Sequence, residues 1–379
     1  MIIAIDGYEA NAENRVGVGR FAYEMLRHLF EEGKRKKVKG KSNLQFRIYL
    51  PSQPMADMPK ETSWWQYRVV SPQKLWTFLA LPFYLSADTP RADVIFSPTH
   101  YVPRFTSIPK IFSIMDLSYV HFPQLFRTKD LHQLVHWTAY SARHAKEIMT
   151  ISDFSKRAIL KEYGVPKDRV HVVYPGLTEL RTQNSMTKEN MMNMYKISKN
   201  YILSVGTLQP RKNFVRLIEA FSKLKDKEVE LVIIGKKGWL YDEILAAPKK
   251  YNIEGRVKFL DFVPDGDLPS FYKNALCFAL PSLYEGFGLP VLEAMSYGCP
   301  VVVSNTSSLP EIAGEAGIYV EPENVESICD GLLTAVGERN LVQGKKRVAF
   351  GLKRAKLFTW ENAAKKTLDI LEKTYESSH

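Results

Sequence analysis

The sequence predicts an α/β protein built as two doubly wound, Rossmann-like units in series, facing a ligand cleft. Three observations lead there. Short apolar runs alternate with segments of helical period along the whole chain, which argues for parallel sheets with crossover helices. A length of 379 residues at 45% apolar content provides for two domains, each with its own core. The alternation breaks over Pro175–Asn200, a polar stretch rich in Met and Asn, where an interdomain linker and a domain-entry helix are placed. The predicted units are residues 1–177 and 178–358, followed by a final helix within 359–379.

Taken in order, Ile2–Ile5 is the first strand. Gly7 to Gly19 is a loop that holds Gly17-Val18-Gly19. A helix follows from about Arg20, with Phe21, Met25 and Leu29 at i, i+4, i+8 on one face. Gln45–Leu50, Tyr67–Val70, Val94–Ser97, Lys110–Met115, Glu147–Ile151 and Arg169–Val173 complete the first sheet. Thr128–Ala145 is helical and carries His132 and His136 at i, i+4; without a third ligand in the pattern, an ordinary helix face is the simpler reading. Ser152 caps the helix that ends near Gly164. The second unit repeats strand and helix through Tyr201–Val205, Glu230–Ile234, Val257–Leu260, Ala275–Ala279, Val301–Val303 and Ile318–Val320. The last helix runs from near Trp360 to about Tyr375.

Composition narrows the function. No stretch approaches the roughly eighteen uninterrupted apolar residues of a membrane-spanning helix. The N-terminus meets Asp6 after five residues without a basic segment, so it reads as a strand rather than a signal peptide. Cys277, Cys299 and Cys329 lack metal-type pairing and suggest reduced, buried thiols in a cytoplasmic protein. The net charge of +11 admits nucleic acid, an anionic membrane surface or an anionic substrate as partner. Much of it lies in Lys34–Lys41, six basic residues in eight, read as a solvated loop after a helix. No stacking aromatics interleave that run, which ranks nucleic acid last. Trp64-Trp65-Gln66-Tyr67 and Leu75–Leu85 lie near it in sequence. Aromatics beside clustered Lys and Arg suit peripheral contact with an anionic membrane; the alternative is that they line a core or an acceptor cleft.

Two loops concentrate the chemistry. Glu285-Gly286-Phe287-Gly288 follows a buried strand, and its glycines let backbone approach a ligand closely. Pro290 opens a helix and Gly298-Cys299-Pro300 closes it, with Glu293 one turn in, eight positions after Glu285. Such a crossing presents free N–H groups and a positive dipole end to an anion. The other loop, Gly206-Thr207-Leu208-Gln209-Pro210-Arg211-Lys212-Asn213, puts two cations at the start of a helix, a site for a diphosphate.

The string from Tyr284 to Met295, continuing through Pro300–Asn305 and Leu309–Ile312, resembles the Glu-x7-Glu motif of the retaining glycosyltransferases of family four, which have the GT-B fold. The resemblance covers nearly the whole chain and is weakest over about Arg35–Asp93 and Thr178–Asn200. It implies retaining transfer of a hexose from a nucleotide-diphosphate sugar to a glycan or lipid-linked acceptor. The wording of Gly206–Asn213 and Gly235–Trp239 favours GDP-mannose, with a UDP-sugar as the alternative donor. Other readings are a sugar-nucleotide epimerase, a phosphorylase, or a sugar-nucleotide-binding protein without turnover.

The resemblance also distributes roles. Lys212 and Arg211 become the pyrophosphate clamp beside Gly206 and Thr207; many members have Arg where Thr207 stands, and Arg211 takes that charge's place. Glu285 would accept from the donor sugar and Glu293 from the ribose hydroxyls. The amides of Gly286, Phe287, Gly288 and Leu289 would face the leaving phosphate, and Val263, after Phe262, the base. Gly17, Val18 and Gly19 would approach the donor phosphate and shape the acceptor pocket. Most relatives have His where Met115 stands, so Asp116 and His121 are the neighbours able to cover its role. No Asp-x-Asp metal motif is read in the chain, and no metal or other cofactor is expected, since the family generally uses Arg, Lys and a helix dipole in a metal's place. The final helix would cross back onto the N-terminal unit.

Overall fold

The apolar runs become strands, and every strand pairs in parallel. The computed structural model describes residues 1–13, 15, 17–38, 40, 43–73, 75–99, 101–178, 187–197 and 200–378. The chain forms two units. One holds Met1–His121, Arg127–Gly176 and the segment from Thr359 onward; the other holds Phe122–Phe126 and Leu177–Phe358. Phe122–Phe126 joins unit two because the Trp239 indole donates to Leu125 O and Phe126 packs on Trp239 at 5.8 Å.

Unit one contains β1 (Ile2–Asp6), β2 (Gln45–Leu50), β3 (Trp65–Val69), β4 (Val94–Ser97), β5 (Lys110–Ile114), β6 (Glu147–Thr150) and β7 (Val170–Val172), in the order β3-β2-β1-β4-β5-β6-β7. Unit two contains β8 (Asn200–Val205), β9 (Val229–Ile234), β10 (Val257–Leu260), β11 (Phe278–Leu280), β12 (Val301–Ser304) and β13 (Gly317–Val320), in the order β10-β9-β8-β11-β12-β13. Each order reverses once, between β1 and β4 and between β8 and β11. At such a reversal the two crossovers leave on opposite faces and open a crevice beyond the carboxyl ends of the strands. The sequence-predicted α/β plan of two doubly wound sheets is therefore what forms.

Helices cover both faces, so central strands such as β9 are buried end to end. The helix Phe214–Ser222 buries Phe214, Leu217, Ile218 and Phe221, an i, i+3, i+4, i+7 stripe, against the second sheet. In unit one the helices Val18–Val38 and Trp360–Glu376 lie together. Phe21 meets Trp360 at 5.6 Å, the Thr367 hydroxyl reaches Met25 Sδ at 3.4 Å, and Lys36 Nζ sits 2.6 Å from Glu372.

Several local expectations change. The first long helix begins at Val18, two residues before Arg20, because Gly17 turns at φ 51 and its carbonyl takes the Phe21 amide. Lys34–Lys37 are not a loop but the last helical turns: no breaker precedes Gly40, and cations suit a helix C-terminus. Arg35 pairs with Glu361 at 2.6 Å as Lys36 pairs with Glu372, so part of that basic run is neutralised within the unit. Lys39 and Lys41 lie outside the described residues.

Trp64 and Trp65 are packing residues rather than a surface pair. Trp65 is fully buried with its ring 5.1 Å from Phe46, and Trp64 stacks on Phe30 at 5.1 Å. The segment after them forms a π-helical turn, Trp76–Ala80, and a helix, Leu81–Ala87. It buries Trp76, Ala80, Leu81 and Leu85 and leaves Leu75, Leu79 and Phe83 exposed. Of the linker region, 179–186 and 198–199 lie outside the described residues, and Lys188–Met194 is a short helix capped by Thr187. Among the described residues no helix is long and apolar enough to cross a membrane.

Candidate active site

The loop after β8 is shaped by close backbone approach. A Cβ on Gly235 would lie 1.9 Å from Gly206 O, so only glycine lets the loops after β8 and β9 run this close. Pro210–Lys212 then make a 3₁₀ turn, and Asn213 adopts a left-handed φ of 62°. The Asn213 amide donates to Pro281 O at 2.8 Å and Pro322 O at 2.6 Å, anchoring this loop to those after β11 and β13. The two cations therefore sit in a turn ahead of the helix Phe214–Ser222, not in its first turn.

Both cations converge on one carboxylate. Lys212 Nζ lies 2.6 Å from Glu285 Oε1, and Arg211 Nη1 lies 3.1 Å from Glu285 Oε2. Arg211 Nη1 also donates to Tyr284 O at 2.5 Å, and Leu283 N donates to Arg211 O at 2.9 Å. Lys212 is 8% exposed and Glu285 6%. Burial pushes the Glu285 carboxyl up, but Lys212 and Arg211 together overcome that and hold it at about 2. It is ionised at any ordinary pH.

The stretch after Glu285 is held from the side. Ser308 Oγ is 2.9 Å from both Glu285 O and Phe287 O. Gly288, at φ 106, caps the helix Leu289–Ser296, whose second residue is Pro290. Glu293 lies in that helix, where its Oε2 accepts the Tyr272 hydroxyl at 2.8 Å. Burial, then the Glu293 charge, push the Tyr272 phenol well up, so it remains a donor that orients this carboxylate.

The other sequence-predicted residues fall into two groups. Val263 is buried after β10, beside the exposed ring of Phe262, which carries Lys236 Nζ at 5.0 Å. Gly206, Thr207 and Gly286–Leu289 belong to the loops just described. Gly17, Val18, Gly19, Met115 and Asp116 belong to unit one. Gly19 is explained by packing, since a Cβ there would stand 3.0 Å from Glu9 O. Met115 is buried, and Asp116 Oδ1 accepts from Ser118 N at 2.9 Å and Ser118 Oγ at 2.6 Å. His132 and His136 pack ring to ring at 4.3 Å.

The expectation that the chain carries no Asp-x-Asp is wrong: Asp265-Gly266-Asp267 stands in unit two. Asp267 Oδ2 accepts the Tyr195 hydroxyl at 2.6 Å. Among the described residues no group of three His, Cys, Asp or Glu is placed to hold an ion. Sequence reasoning also missed Tyr272 and Ser308, whose spacing from the motif carries no signal. The motif wording could have flagged Asn213, a residue that tolerates left-handed backbone.

Two family models match this chain: Glycosyltransferase Family 4 over residues 16–179 and Glycosyl transferases group 1 over residues 188–351. The chain belongs to the group 1, family 4 glycosyltransferases. It is 35% identical to the O-antigen chain mannosyltransferase B of Escherichia coli over 254 residues, 64% of this chain and 63% of that protein. The chain thus spans under two thirds of the length of that curated relative. Sucrose-phosphate synthase from Thermosynechococcus elongatus superposes with a TM-score of 0.75 at 16% identity, covering 99% of each chain. The Anabaena protein HepE, solved with UDP and glucose, gives 0.73 at 18% identity over 98% of this chain and 99% of its own. These neighbours share the GT-B fold.

Proposed function

We propose that this glycosyltransferase moves a hexose, with retention of configuration, from a nucleotide-diphosphate sugar to a glycan or lipid-linked acceptor. The observation that carries this is the buried Arg211–Lys212–Glu285 cluster at the reversal between β8 and β11. Two cations without bulk water around them bind a diphosphate strongly. On donor binding, the phosphates take over Arg211 and Lys212, and Glu285 is freed to accept from the sugar hydroxyls. Among the described residues Gln209 Oε1, in the same loop, is buried without a hydrogen-bond partner, a group of the kind a ligand satisfies. Glu293, oriented by Tyr272, suits bidentate acceptance from the ribose diol.

The bond from the sugar's anomeric carbon to the diphosphate then breaks through an oxocarbenium-like state. Arg211, Lys212 and the Gly286–Leu289 amides stabilise the leaving phosphate, one of whose oxygens takes the acceptor's proton as the acceptor oxygen bonds to the anomeric carbon on that same face. No step requires a metal, so chelation by EDTA should leave turnover unchanged. The curated relative's name, a mannosyltransferase, supports mannose from GDP-mannose; the UDP bound by the Anabaena neighbour supports a UDP-sugar as the alternative.

Calorimetric titration of GDP, UDP and ADP into the wild type and Lys212→Ala tests the reading. Tight binding of one nucleotide, lost in the variant and worth about 2.7 kcal/mol of stabilisation at a hundredfold excess, is expected. Binding of none would sink it. Donor hydrolysis without acceptor separates an enzyme from a binding protein.

Peripheral contact at the cytoplasmic face of an anionic membrane is the second part of the proposal. Leu75, Leu79 and Phe83, exposed at i, i+4, i+8, support it in place of Trp64 and Trp65, which pack against Phe30 and Phe46. Flotation with anionic liposomes should weaken in Phe83→Ser; flotation independent of lipid charge would remove the idea.

A further inference from the structure

The first sheet has its own reversal, between β1 and β4, and polar groups that the donor reading does not use gather there. Asp6 ends β1 and Ser97 ends β4. The register sets Ile5 opposite Phe96, so the next residues, Asp6 and Ser97, are neighbours on one face of the sheet. That face carries Ala4 and Ile95, and Trp76, Ala80 and Leu81 pack over it.

Ser97 is fully buried and its Oγ has no hydrogen-bond partner among the described residues. Asp6 is 3% exposed, and Tyr8 N at 3.1 Å and Trp76 Nε1 at 3.0 Å both donate to its Oδ1. Among the described residues nothing donates to Oδ2. The Tyr8 and Trp76 rings meet at 5.1 Å, and Tyr8 is 36% exposed. Leu75, the residue before Trp76, is held at φ 56, and Trp76 opens a π-helical turn. Both are strained or rare backbone forms that concentrate at functional sites.

The charges set the ligand class. Burial pushes the Asp6 carboxyl up to about 7, and the nearby charge that acts on it is Glu9, of the same sign. A phosphate brought here would meet two carboxyls and, among the described residues, no compensating cation. A pyranose would meet hydroxyl acceptors beside an aromatic face able to carry its C–H side. We infer that Asp6, Tyr8 and Trp76, with Ser97 behind them, form the binding site for a neutral sugar ring of the acceptor. This rests on the proposed transfer and narrows it: the acceptor end recognised is a glycan, not a phosphate.

Three preparations test it: wild type, Asp6→Asn and Tyr8→Ala, the last on a partly exposed ring whose loss the fold tolerates. Transfer to methyl α-mannoside, methyl α-glucoside and methyl α-galactoside is followed at saturating donor, with nucleotide Kd measured by calorimetry. Expected is an acceptor KM at least tenfold higher in both variants for the best glycoside, a nucleotide Kd within twofold of wild type, and no inhibition of wild type by inorganic phosphate competitive with the glycoside. An unchanged acceptor KM in either variant overturns the inference, as does a wild type that hydrolyses donor yet uses none of the three glycosides. A wild type that binds no nucleotide and hydrolyses no donor instead tells against the proposed function. Quenching of tryptophan fluorescence by the best glycoside, abolished in Trp76→Phe, gives a readout that does not depend on turnover.

Discussion

The reversal between β8 and β11 and the reversal between β1 and β4 each bury a carboxyl group at the end of a parallel sheet, and they treat it in opposite ways. Glu285 is 6% exposed and Asp6 3%, so desolvation acts on both. Glu285 faces an ammonium at 2.6 Å and a guanidinium at 3.1 Å and is held at about 2. Asp6 faces an indole and an amide N–H, has Glu9 as its charged neighbour, and rises to about 7. Burial therefore does not decide ionisation; the partners do. In the proposed reading, one backbone plan thus yields a place for phosphate and a place for hydroxyls.

Removing a partner should break the comparison most visibly. Lys212→Ala and Glu285→Ala are each expected to lower transfer by at least about 10²–10³, the usual loss for one charge-stabilising group. Lys212→Ala should also destabilise the fold by about 3–5 kcal/mol, because Glu285 keeps a buried charge with one partner fewer. Adding Glu285→Gln to Lys212→Ala should recover stability in urea unfolding but not turnover. Near wild-type turnover in either single variant would show that the cluster is only structural.

The pH dependence of stability sharpens the contrast. Glu285 is depressed from 4.5 to about 2, so its contribution is present above pH 4.5 and is lost as pH falls towards 2, up to about 3 kcal/mol. Asp6 is raised from 3.8 to about 7, so the stability of its neutral form is present below pH 3.8 and lost as pH rises through 7, up to about 4 kcal/mol. Urea midpoints measured across pH 2–8 should lose the acid limb in Glu285→Gln and flatten between pH 4 and 7 in Asp6→Asn. Parallel profiles for the two variants would contradict the assignment.

The smallest expected effect lies in the backbone. Gly288→Ala places a Cβ 2.8 Å from Leu309 Cδ2 at a φ of 106°. A cost of about 1–3 kcal/mol is expected by thermal unfolding, with nucleotide affinity falling as the helix N-terminus shifts. No change in either would mean that this turn has room to relax.

Much of the molecule was legible in local pattern. β4 and β10 form over the spans the sequence predicts, because a buried strand needs only a short apolar run between turns. The loops around Arg211–Lys212 and Glu285 were legible for a similar reason: glycine, proline and charge have meanings that depend on nearest neighbours. The tryptophan pair misled because proximity in sequence to cations says nothing about which face a side chain takes. Trp64 and Trp65 stand on the segment that pairs with β2, and Phe30 and Phe46 receive them.

What the sequence by itself determined, then, is the strand–helix alternation, the two motif loops and the family, all written in short-range spacing. Tertiary structure alone decided that Lys212 meets Glu285 across 73 residues, that Tyr272 aims Glu293, and that Trp76 reaches Asp6 across 70. Those pairings set the charge on each buried carboxyl. They arise only when crossover connections bring distant strand ends side by side, because electrostatic interaction depends on distance in space and on exclusion of water rather than on order along the chain.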